Sequence, residues 1–158
     1  MTGVQTCALP ICLACDYLGI KEELSNEEIK HLLDLARCST VRNRPSNKDE
    51  IVDQVHNATM LHEAGVDFKA VKDSQLHVQF EKGKLQIPIF YLAHRTEAFI
   101  RNLMALEQCH YYPKKAYFCS YIQLLDWLVD TDKDVDLLVK KGIFVNGMGS
   151  SEIGRAHV

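Results

Sequence analysis

The chain of 158 residues is 47% hydrophobic and 25% charged, with a formal net charge of −3. That balance is too apolar for an intrinsically disordered segment, and no apolar run reaches the roughly 18 residues needed to cross a bilayer. A mildly acidic chain also lacks the basic excess that phosphate neutralisation demands, so no nucleic-acid partner is expected. The length suits one domain, or a large piece of one.

Both ends read as foreign sequence. The oligonucleotide GACGTGTGCTCTTCCGAT, of a kind used as a sequencing adapter, lies within bases that encode Thr2 to Ile11. Its reverse complement encodes Ile153 to Val158. Residues 1–11 and 153–158 are therefore expected to be adapter-derived, and 12–152 to be a fragment of an incomplete domain whose natural chain continues. The two ends carry one charged side chain, Arg155. Residues 12–152 thus hold 17 of the 18 basic residues and all 21 acidic ones, a formal −4.

In chain order, Ser25 with Glu28 three residues on is the start of a capping box. Ile29, Leu32, Leu33 and Ala36 follow at helical spacing, with Lys30, Asp34 and Arg37 on the opposite side, and the pattern dissolves at Cys38-Ser39-Thr40. Residues 42–50, with Asn43, Pro45, Ser46 and Asn47, read as an exposed loop. Asn57 caps a short helix containing Met60 and Leu61, which Gly65 ends. Leu76, Val78 and Phe80, then Leu85, Ile87 and Ile89, alternate on either side of Glu81-Lys82-Gly83-Lys84, which predicts a hairpin with one buried face. Pro88 lacks a donor, which places its strand at an edge or ends it. Thr96 caps the next helix, with Phe99, Ile100, Leu103, Met104 and Leu106 as its buried face. Tyr111-Tyr112-Pro113 breaks the chain before a helix carrying Phe118, Ile122, Leu125, Leu128 and Val129. Thr131 starts a last helix with Val135, Leu138 and Val139 inside, an Asp136–Lys140 pair outside, and Gly142 as its stop. The fold class is α+β: several helices packed on a small antiparallel β-hairpin or sheet.

Chemistry-bearing motifs are sparse. Cys12 and Cys15 have the C-x-x-C spacing of zinc and redox sites, but no second ligand pair follows and Cys12 borders the adapter, so the pair is discarded. Cys109-His110 suggests a thiol and a base. However, neighbours on a helix point about 100° apart, and the simpler reading packs Cys109 as a small apolar residue. His62-Glu63 opens like a zinc-protease helix, yet position 66 is Val66 where the second histidine would stand. Gly147-Met148-Gly149-Ser150-Ser151 lacks the Gly-Lys ending of a phosphate loop and reads as a turn. Lys114-Lys115 and Lys140-Lys141 read as solvated pairs. Asn57-Ala58-Thr59 is formally a glycosylation sequon, for which the capping role of Asn57 is explanation enough. No catalytic, cofactor-binding or metal-binding residues are assigned and no cofactor is expected. The redox state of Cys15, Cys38, Cys109 and Cys119 stays open.

Four ordered blocks resemble a plant family known as domain of unknown function 247. They are Asn57 to Lys69 (NATMLHEAGVDFK), Gly83 to Pro88 (GKLQIP), Thr96 to Cys109 (TEAFIRNLMALEQC) and Asp132 to Ile143 (DKDVDLLVKKGI). The resemblance spans residues 29–151, with mild departures at Asn57, Met60 and Asp67. It implies a plant protein longer than this chain, held in the plasma membrane by a C-terminal segment beyond Ser151. A recognition role is also implied, since some relatives act in pollen–stigma self-incompatibility in grasses. The family lends no catalytic or ligand residues. The expected function is a non-enzymatic recognition or signalling module with a protein partner of unknown identity. The alternative is a cysteine-dependent hydrolase-like enzyme using Cys109. A third expectation is that the fragment is inert and exposes apolar faces that the missing part covers.

Overall fold

The structure, a computed structural model, describes residues 31–41, 55–72, 76–111 and 116–147. The Ser25–Glu28 capping box, the loop at 42–50, the Cys12–Cys15 pair, Lys114-Lys115 and both chain ends lie outside these residues. Among the described residues the chain is α+β, with five α-helices and two small sheets.

The first helix, α1 (Leu32–Val41), runs through Cys38-Ser39-Thr40 where the pattern is expected to dissolve. The Ser39 hydroxyl donates to Ala36 O at 2.7 Å and the Thr40 hydroxyl to Arg37 O at 2.9 Å. Both hydroxyls thus bond back to the preceding turn from within the helix. Its faces are also not as expected. Asp34 and Arg37 are buried, whereas Leu32 is 65% exposed.

Asn57 caps α2 (Ala58–Glu63) as expected, its side-chain oxygen accepting from Met60 N at 2.9 Å. Gly65, at φ +94°, takes the left-handed conformation that closes it. Met60, by contrast, is exposed, and Ala58 is the residue this helix buries. The chain then enters β1 (Asp67–Val71), β2 (Gln79–Glu81) and β3 (Lys84–Pro88). The hairpin forms between β2 and β3, with Glu81 opposite Lys84. Lys82 and Gly83 both have positive φ, the two-residue turn whose twist suits a hairpin. Its sheet is mixed, because β1 pairs in parallel with the other side of β3. Pro88 therefore ends a central strand. Strand β2 pairs only as far as Gln86, so the missing donor of Pro88 falls beyond its reach.

Past a bend at Ile89 the chain continues as β4 (Phe90–Leu92), then α3 (Thr96–Leu106) and a π-helical turn over Glu107–Tyr111. Thr96 is the first residue inside α3, and Arg95 occupies the cap position. The Thr96 hydroxyl instead ties strand to helix, donating to Tyr91 O at 3.1 Å and accepting from Ala93 N at 2.8 Å. Of the expected apolar face of α3 only Leu103 is fully buried, and Phe99 is exposed. Helices α4 (Tyr117–Leu128) and α5 (Asp132–Lys140) follow, and β5 (Phe144–Asn146) pairs in parallel with β4. Gly142 stops α5 at φ +73°. Val139 is exposed, and Asp136 and Lys140 form no ion pair with each other.

Helix α4 joins two apolar clusters. Its Phe118 packs with Ala36, Val41 and Leu103, while its Tyr121, Leu125 and Leu128 pack with Phe68, Ile87, Leu138 and Ile143. Half-buried Leu76 and Ile122 touch both clusters.

A buried carboxylate secures the second cluster. Asp134, fully buried, accepts from Thr59 N at 2.7 Å with one oxygen. Its other oxygen accepts from the Thr131 backbone N–H and hydroxyl, both at 2.8 Å. One side chain therefore caps α2 and α5 together, at the ends where helix dipoles favour negative charge. Burial alone would raise its pKa, but the bonds from Thr59 and Thr131 outweigh burial and hold it at about 2, against an ordinary 3.8. A depressed folded-state pKa contributes stability that is complete above about pH 4 and is lost as the pH falls through about 2. Asp134→Asn should lose about 2 kcal/mol near neutral pH, with the gap to the parent narrowing as the pH falls towards about 2. Urea unfolding across that range reads it, and a gap that does not change with pH would contradict the assignment.

Candidate functional site

The most polar part of the interior is a joint between α1, α3 and α4. The side chain of Glu107, first residue of the π-helical turn, is completely buried. One of its oxygens accepts from Arg37 Nε of α1 at 2.9 Å and from Phe118 N at 3.2 Å; the other accepts from Cys119 N at 2.9 Å. Phe118 and Cys119 lie in the first turn of α4, where backbone donors have no partner within the helix. The residue before that helix, Ala116, provides no side-chain cap. Glu107 supplies one from a different element, and the Arg37 guanidinium balances its charge.

The same carboxylate controls a nearby thiol. Burial first, then Glu107, pushes the Cys119 pKa up to about 11, so this cysteine is a protonated thiol at neutral pH. Its Sγ points to Met104 O at 3.8 Å. Cys38 is half-buried in α1, with its Sγ 4.0 Å from Asp34 Oδ1. Both fit the expectation of small packed residues.

Cys109 does not. It is an exposed free cysteine on the π-helical turn, outside both apolar clusters. Among the described residues no histidine or carboxylate hydrogen-bonds to it, and the His110 side chain lies outside the description. His62 and Glu63 sit at the end of α2, where His62 Nδ1 lies 3.2 Å from Val66 O. Lys141 pairs with Asp67 of β1 at 2.7 Å, which lowers the Asp67 pKa. No group of three or more metal-ligating side chains occurs among the described residues, and none of their helices is long and apolar enough to cross a membrane.

A cavity of about 470 Å³ lies beside the joint. Thr40 of α1, the β3–β4 bend, the first turns of α3, and Phe118 and Tyr121 of α4 wall it. Phe99 meets Phe118 edge-on, with centroids 6.3 Å apart. The Tyr121 hydroxyl donates to Pro88 O at 3.2 Å, and burial raises its pKa.

Sequence reasoning missed Glu107 and Asp134, though both left a signal. Glu107 continues the Ile100–Leu103 stripe of α3, and Asp134 occupies the third position after the Thr131 cap. A lone acid on an apolar stripe, or at that capping position, marks a carboxylate that the fold encloses. Arg37→Met should cost about 3–5 kcal/mol by stranding Glu107 without its charge partner. Pairing it with Glu107→Gln should cost clearly less than the two single losses together. Equilibrium denaturation of the four proteins measures this, and strict additivity would deny the joint.

Residues 7–154 match the plant family DUF247, described as a plant protein of unknown function. Similar curated proteins are the putative UPF0481 protein At3g02645 and the UPF0481 protein At3g47200, both of Arabidopsis thaliana. The first is 27% identical over 89% of this chain and 26% of its own length; the second is 29% identical over 82% and 33%. The chain thus spans between a quarter and a third of the length of these relatives. No solved structure matches it. With nearly its whole length covered, and with the four blocks lying in α2–β1, β3, α3 and α5, the chain belongs to this plant family of unknown function.

Proposed function

We propose that this domain is a non-enzymatic recognition or signalling module of a longer, membrane-anchored plant protein. The observation that carries the reading is the use made of its buried ionisable groups. Glu107 and Asp134 direct their oxygens to helix N-termini, and the Arg37 Nε–H is bonded to Glu107. General acid–base work needs an accessible group with a pKa near the working pH. Asp134 at about 2 and Cys119 at about 11 are displaced away from neutrality in opposite directions. Such displacement suits a scaffold that holds its shape. Membrane attachment of the parent is part of this reading because the family resemblance implies it. It predicts that the full-length protein stays in the membrane pellet after alkaline carbonate extraction; release into the supernatant would contradict it.

A hydrolase using Cys109 is the second reading, favoured by the accessibility of that thiol. The two readings differ in thiol chemistry. An activated nucleophile is a thiolate at neutral pH, whereas an unassisted cysteine is mostly protonated. Alkylation of Cys109 by iodoacetamide, followed by mass spectrometry near neutral pH, should run at the rate of a simple peptide thiol. A rate faster by about tenfold or more, with release of an acyl group from a test ester, would support the enzyme and sink the non-enzymatic reading.

A further inference from the structure

We propose that the cavity between the β3–β4 bend and helices α3 and α4 is a binding site for a small uncharged apolar molecule. Its volume, about 470 Å³, falls in the range of small-molecule sites, and its walls come from α1, the strand bend, α3 and α4, so it is a concave pocket and not a flat face. Four hydroxyls border it; that of Tyr91 belongs to an exposed side chain at the mouth, and the other three donate within the protein. Thr40 donates to Arg37 O, Thr96 to Tyr91 O and Tyr121 to Pro88 O. Recognition inside therefore falls to ring and aliphatic surface. The charged member of the lining, Arg95, is exposed and has interactions of its own, so it does not set the chemistry of the interior. An ionised ligand would give up its hydration for walls made mostly of ring and aliphatic surface, whereas an uncharged one gives up little. At the mouth, Phe99 and Tyr91 stay 38% and 59% exposed although both are large aromatics, and closing over a ligand would cover them.

The test is a titration of the whole chain with the uncharged dye N-phenylnaphthylamine and with its charged analogue, anilinonaphthalene sulfonate. The uncharged dye should saturate at one molecule per chain and bind at least about tenfold more tightly than the anion. Phe99→Asp should weaken it by about tenfold or more. Because Phe99 also packs on Phe118, Tyr91→Asp at the exposed mouth serves as the second variant, with the same direction expected. Thermal unfolding of each variant must remain cooperative. Tighter binding of the anion would overturn the uncharged class. Non-saturating dye uptake without a cooperative transition would mean loosely exposed apolar surface and no built site. Binding that neither variant weakens would place the dye elsewhere. A concentration-dependent dimer abolished by Phe99→Asp would show the face to be a contact between two copies; each of these three results overturns the site.

Discussion

A carboxylate taken fully out of water must be met by opposite charge and by donors, or the fold would lose more than it gains by burying it. Glu107 meets that condition only when it, α1 and the start of α4 are all correctly placed. Arg37 must arrive from α1, and the first turn of α4 must present two backbone N–H groups. This geometry fixes the start of α4, and α4 supplies side chains to both apolar clusters. The position of Phe118, bonded through its own N–H to Glu107, also sets one wall of the cavity. Asp134 repeats the device at a second joint, between the N-termini of α2 and α5. The two carboxylates tie helices to one another, and the two sheets among the described residues, one of three strands and one of two, are too small to organise the fold alone.

Local pattern made much of this legible. Helical spacing located α4 and α5, the Lys82-Gly83 pair located the hairpin turn, and Asn57, Gly65 and Gly142 marked helix ends correctly. Two kinds of feature escaped. Charged residues were assigned to solvent by type, and so Asp34 and Arg37 were placed on the wrong side of α1. The buried Arg37 is met by Glu107, seventy positions away, which no local period encodes. Parallel pairings escaped for a related reason. The β1–β3 and β4–β5 ladders join strands separated by other elements, and three-residue strands such as β4 and β5 carry almost no periodic signal. Thr96 shows a smaller version of the same limit: a capping residue by type, it bonds back to the end of β4 from inside the helix.

The site was less legible than the fold. The motifs of familiar spacing assign no site residue, and the thiol they single out, Cys109, is exposed on an irregular turn. The cavity has no motif because its lining comes from Thr40, the strand bend, α3 and α4, each contributing apolar residues that look like ordinary core. Nothing in the sequence distinguishes Phe99 beside an opening from Leu103 sealed within the cluster.

The central claim is that Glu107 holds α4 in place from outside that helix. The most direct measurement is amide hydrogen exchange at Phe118 and Cys119, in the parent chain and in Glu107→Gln. Helix first-turn amides normally exchange readily because nothing within the helix binds them. Here the two amides should be protected almost as well as those in the middle of α4, and should lose that protection in the variant before Leu125 and Leu128 do. Fast exchange at Phe118 and Cys119 in the parent, or protection untouched by Glu107→Gln, would contradict the account.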